Sequence, residues 1–165
     1  DMQADMQDLL AAKAADAGLE RYEVSAYATT GMQCRHNVNY WEFGDYLGIG
    51  AGAHSKVTDQ VGVVRFSRPR LPKQYMANAG TMEAYISERK LNQGDLVLEY
   101  MINALRLRSG FTLEQFSLHT GLDKDVLSSG IDEAVKKGLL VQNNDTICAT
   151  DEGFGFLSDI QLMFS

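Results

Sequence analysis

From Asn92 onward, apolar residues recur at helical spacing in four separate stretches, and a tight-turn signal divides the third from the fourth. Leu96, Leu98, Met101, Ile102 and Leu105 form the first stripe. Thr112 opens the second with Gln115 three residues on, the pattern of a reciprocal helix cap that runs to Thr120-Gly121. The third carries Val126, Leu127, Ile131, Ala134 and Val135 and stops at Gly138. Leu139 to Val141 and Thr146 to Cys148 then flank Asn143-Asn144-Asp145, a hairpin turn, and Thr150 caps a last helix reaching Phe164. Three helices, a β-hairpin and a closing helix predict a winged-helix-like α+β domain over residues 92–165.

Winged helices often read DNA in the major groove. Charge argues against that use here. The chain carries 15 basic and 22 acidic residues, a net charge of -7. Residues 95–165 hold five basic groups against eleven acidic ones, so nearly all of the excess lies on this half. The helix that would enter a groove bears Asp123, Asp125, Asp132 and Glu133, which phosphates would repel. A structural or partner-docking role is the better expectation.

The first 91 residues read differently. An alanine-rich helical pattern ends at Gly18, and Arg21 to Tyr27 alternates like a strand, as in the returning half of a βαβ unit. A chain that opens inside a helix without methionine reads as a fragment of something longer. Residues 28–44 show no period and predict a long ordered loop. Asp45 to Gly50 predicts a second buried strand, and Ser55 to Phe66 a hairpin. Both prolines, Pro69 and Pro72, mark a rigid connector that carries Arg65, Arg68, Arg70 and Lys73. These cations could hold carboxylates or phosphates, or form a solvated rim. Helices are expected at about 73–79 and 81–90.

Two cysteines, Cys34 and Cys148, make neither a disulfide framework nor a metal–sulfur cluster. They suit a reducing, cytoplasmic setting. No apolar run reaches the roughly 18 residues of a membrane span.

Two segments gather chemistry. Gly48-Ile49-Gly50-Ala51-Gly52 lacks the G-x-G-x-x-G spacing of a dinucleotide loop, so close backbone approach to a ligand, or a bend at a barrel strand end, is the preferred reading. Cys34 to Trp41 packs a thiol, an imidazole, two amides and two large aromatics into eight residues. They read either as an anchored loop or as a ligand-binding lip, with His36 or Cys34 as an axial metal ligand. Cys34-x-His36 alone falls short of the four ligands of a structural zinc.

Taken in order, Tyr22 to Ala28, His36-Asn37-Val38-Asn39-Tyr40-Trp41 and Gly44 to Ser55 resemble the radical S-adenosylmethionine family of oxygen-independent coproporphyrinogen III oxidase-like proteins. The HNxxYW and GDYLGIGxGAHS motifs are similar to those of its heme-chaperone branch. The resemblance implies an α/β fold: the C-terminal part of a partial TIM-like barrel over residues 1–91, followed by the winged-helix-like domain. It implies heme as ligand, with S-adenosylmethionine and a [4Fe-4S] cluster in the parent, whose cluster motif has no counterpart here. His36 becomes the candidate heme iron ligand, Tyr40 and Trp41 its aromatic packing, and Ala28, Gly50, Gly52 and His54 cofactor contacts. A true anaerobic oxidase and a bare docking module are the alternatives. An acceptor protein and self-association of the fragment are the expected partnerships.

Overall fold

The computed structural model describes residues 2–164. Helix α1 (Met2–Asp16) leads through Gly18, with φ of +74°, into β1 (Glu20–Glu23). The expected single strand over residues 21–27 is instead a hairpin, because β1 turns back on β2 (Ala26–Ala28). Side chains close this turn without glycine or proline. Ser25 donates both its N–H and its hydroxyl to Glu23 Oε1 at 2.8 Å, and Arg21 donates to the Val24 carbonyl.

The expected loop over residues 28–44 contains a helix, α2 (Arg35–Trp41), which carries the whole HNVNYW segment. Glu42 follows as the C-cap. Phe43 then takes φ of +62°, and its N–H donates to the Tyr40 carbonyl at 3.1 Å. Gly44 N–H reaches the Asn39 carbonyl at 2.7 Å, completing a Schellman closure with phenylalanine where glycine is usual. A left-handed phenylalanine costs about 1–2 kcal/mol. Burial offsets that cost: Phe43 is 1% exposed, lies 5.5 Å from the Tyr100 ring, and has Lys56 Nζ 4.2 Å above its face.

The expected strand over residues 45–50 is not formed. Only Tyr46 pairs, in an isolated bridge with Lys56, while Leu47 and Ile49 face outward at 73% and 85% exposure. The predicted hairpin is present as β3 (His54–Asp59) and β4 (Gly62–Ser67). Helix α3 (Pro72–Asn78) starts on its proline. The helix expected at 81–90 is a single 3-10 turn followed by β5 (Ser87–Lys90), an edge strand on β4.

Register places Lys56, Arg65 and Arg89 side by side across this sheet. Like charges facing one another destabilise a sheet unless they are neutralised. Glu99 of α4 (Gln93–Ala104) takes Arg65 at 2.5 Å and Arg89 at 2.9 Å, and Asp45 takes Lys56 at 2.8 Å. The arginines foreseen as a binding rim therefore include one, Arg65, that docks the sheet on α4.

Beyond α4 the predicted order holds. Strand β6 (Phe111–Thr112) enters α5 (Leu113–Thr120), whose Thr112–Gln115 capping box is formed in both directions. The third helix begins as a 3-10 turn at Lys124–Leu127 and continues as α6 (Ser128–Lys136). The wing, β7 (Leu140–Asn143) and β8 (Thr146–Ala149), pairs with β6 in the order β6-β8-β7. The closing helix divides at Phe156 into α7 (Asp151–Gly155) and α8 (Leu157–Leu162). One core joins Phe43, Val63 and Leu91 to Tyr100, Phe116, Leu127, Ile147 and Ile160. It runs continuously across residue 92.

Candidate functional site around the motif helix

Helix α2 is seven residues long, has no side-chain N-cap and buries none of its residues fully. A helix this short does not hold itself in water. Its anchors lie on the last turn. Tyr40 stacks 4.2 Å from Tyr46, Asn39 donates to the Asp45 carbonyl at 3.0 Å, and the Arg106 guanidinium lies 4.1 Å over the Trp41 ring. His36 sits one turn back, exposed, with its ring edge-on to Tyr40 at 4.8 Å. Cys34 and Met32 are exposed beside it. Trp41 is half-buried beneath Arg106, so of the two motif aromatics Tyr40 is the nearer to His36.

Arg106 reaches further. Its Nη2 donates to Glu23 Oε2 at 2.9 Å, and Glu23 is 1% exposed. Burial alone would raise the Glu23 carboxyl. The Ser25 hydrogen bonds and the Arg106 guanidinium outweigh it and hold the group below the usual carboxylate range. Asp45 behaves alike, with burial opposed by Lys56 and Thr58. Burial pushes the Lys56 amine down despite its Asp45 partner, and burial with Lys56 nearby also lowers His119.

Because ionised Glu23 is favoured in the fold, its contribution is complete above its ordinary value near 4.5. It is lost as pH falls through the lower folded value. Glu23→Gln should therefore cost about 1–2 kcal/mol at neutral pH, and the gap to the parent should close below about pH 4.5. Urea unfolding from pH 7 to pH 3 measures this; a gap independent of pH would show that the charge does not matter.

A cleft of about 300 Å³ separates α2 from β1 and is lined by Tyr22, Val38, Glu42, Leu107 and Arg108 among others. His36 does not line it. Ala28 is the last residue of β2, as expected of a strand-end position. The glycine run is a turn, not a strand end: Gly50 and Gly52 take φ of +112° and +73°, and His54 opens β3. Gly48 is the tight one. A Cβ there would overlap the His54 carbonyl oxygen, so the close approach is to the chain's own backbone. Tyr46 links the two motif segments, stacking on Tyr40 and bridging to Lys56 two residues after His54. No hydrogen bond or ring contact joins His36 to His54 among the described residues.

Among the described residues no cluster of three or more His, Cys, Asp or Glu could hold a metal ion. Exposed Cys34 and half-buried Cys148 do not form the thiolate set of an iron–sulfur cluster. A single exposed imidazole does match the donor a heme iron takes at one axial position.

Comparison with known proteins bears directly on these segments. Residues 91–156 match the HemN C-terminal domain family. The chain is 39% identical over 150 residues to the heme chaperone HemW of Escherichia coli and 38% identical over 149 residues to that of Haemophilus influenzae. Each alignment takes in 90% of this chain and 38% of the relative. The chain is thus similar to the HemN C-terminal domain over residues 91–156 and to HemW proteins over most of its length. It spans about two fifths of the length of these HemN-like relatives. The solved coproporphyrinogen III oxidase HemN of Escherichia coli, a radical SAM enzyme, superposes with a TM-score of 0.67 over 98% of this chain and 40% of its own. At 17% identity that match shows the fold. The mixed α/β architecture is thereby established, and the likeness expected from the two motifs is found in the HemW relatives.

The motif helix was not foreseen, though one signal for it was present. Glu42-Phe43-Gly44 places a glycine just after the aromatic pair, one position later than the usual helix stop.

Proposed function

We propose that this chain is the C-terminal part of a heme chaperone, holding heme on the exposed face of α2 for transfer to an acceptor protein. The observation that carries the reading is the exposed His36 imidazole on a helix anchored at its far end, in a chain 38–39% identical to proteins named heme chaperone HemW. Heme is cargo here. His36 would supply the axial nitrogen and Tyr40 an aromatic edge against the macrocycle, while Trp41 acts from beneath through Arg106. Ala28, Gly50, Gly52 and His54 stay candidate contacts for S-adenosylmethionine in the intact protein. The described residues do not fit the [4Fe-4S] group, since they offer two separate cysteines and no cluster of metal-ligating side chains.

The division near residue 92 into a barrel end and an acidic winged-helix-like unit is part of this reading, as is a cytoplasmic setting. No helix of the described residues is long and apolar enough to cross a membrane. Exposed Met2, Met6, Leu9 and Leu10 on α1, with Leu47 and Ile49, support self-association of the chain.

Heme titration tests the proposal. His36→Ala should weaken binding about tenfold or more and shift the Soret band, an effect on the scale of a lost ligand contact. An unchanged titration would remove His36 and with it the site.

A further inference from the structure

We infer that Arg106 is a positioning residue for the motif helix, coupling the C-terminal helical region to His36 through Trp41. The inference rests on the heme-binding reading and adds a residue that neither sequence motif contains.

Three features meet at this side chain. Arg106 leaves the end of α4 and spans two elements of the first half: its guanidinium covers the Trp41 face at 4.1 Å and donates to buried Glu23 at 2.9 Å. The backbone follows the same path, since Leu107 bridges to Glu23 and Arg108 N–H donates to the Tyr22 carbonyl at 3.0 Å. Hairpin β1–β2, helix α2 and the end of α4 therefore share one junction.

The junction is also under-satisfied. Trp41 Nε1 and Arg106 Nε are buried with no hydrogen-bond partner among the described residues. Buried donors of this kind are costly, and an ion pair that includes a buried carboxylate is weak evidence for net stability. Such an arrangement is better accounted for by placement than by stability.

The consequence for α2 is mechanical. With no fully buried residue and no N-cap, the helix takes its orientation from its last turn, where Arg106 holds Trp41 next to Tyr40. Tyr40 in turn touches His36. Loosening Arg106 frees the end of α2 that fixes the angle at which His36 presents its imidazole.

Arg106→Lys separates the two contacts. Lysine keeps a cation for Glu23 but lacks the planar face that stacks on an indole. Trp41 is the only tryptophan of the chain, so its fluorescence reports the junction without heme. In the full chain, Arg106→Lys should leave the thermal midpoint nearly unchanged, raise acrylamide quenching of Trp41 and weaken heme binding about tenfold. Trp41→Leu should weaken heme binding similarly, and the double variant no further than Trp41→Leu alone. Unchanged quenching in Arg106→Lys, or losses that multiply in the double variant, would overturn the inference. Failure of the heme reading looks different: His36→Ala then leaves the Soret titration unmoved while the quenching change persists.

Discussion

Tyr100→Ala should destabilise the chain by about 4 kcal/mol, the upper range for truncating a buried aromatic. Tyr100 is 1% exposed, and its ring meets three others: Phe43 at 5.5 Å, Phe111 at 5.3 Å and Phe116 at 5.1 Å. The two closest contacts are near-perpendicular, the arrangement in which ring edges meet ring faces. Burial pushes the phenol well up from its ordinary value, so it stays neutral at any pH at which the chain is handled. The loss should exceed that of an equal cavity elsewhere. Burial of the Phe43 side chain against Tyr100 and Lys56 offsets the cost of its left-handed backbone, and without Tyr100 that strain loses an opposing term. Denaturant unfolding gives the magnitude, and a loss below about 2 kcal/mol would show that the site collapses around the missing ring.

The same residues explain why the two halves of the chain differed in legibility. From Asn92 onward the signals are local. The Asn92 and Thr112 caps, left-handed Gly121 and Gly138, and the turn at Asn144, with φ of 55°, each act within a few residues of where they stand. In the first half the deciding partners are distant. Leu47 and Ile49 read as a buried strand because they are apolar, yet both face outward and only Tyr46 finds a bridge. Ser87–Lys90 has four exposed side chains and no strand alternation, and it is a strand only because β4 offers it an edge. Helix α2 has no apolar stripe of its own and is held by Tyr46, Asp45 and Arg106, the last lying sixty-five residues beyond Trp41. Motif resemblance therefore pointed to the HemW relatives, while the missing periodicity placed HNVNYW on the wrong kind of element. The resemblance depends on residue identity, whereas the element depends on contacts that no local pattern records.

Gly48→Ala is the second large effect and separates two uses of glycine within one run. A Cβ at Gly48 would overlap the His54 carbonyl oxygen, which is backbone and cannot step aside. The Gly48 N–H donates to the Ser55 hydroxyl at 2.9 Å, and its carbonyl accepts from Arg68 Nε at 2.8 Å. Ser55 is 2% exposed, so pushing the two backbones apart strands a buried hydroxyl as well. Together these should cost about 3 kcal/mol and displace the start of β3, where His54 lies. Gly50→Ala is the control. Its φ of +112° disfavours any side chain, but nothing lies within 4 Å of the added carbon. A loss of about 1–2 kcal/mol is expected there. If urea unfolding ranks the two variants in the opposite order, the run serves backbone freedom alone. If Gly48→Ala costs more, its first glycine is there to let the turn close on β3.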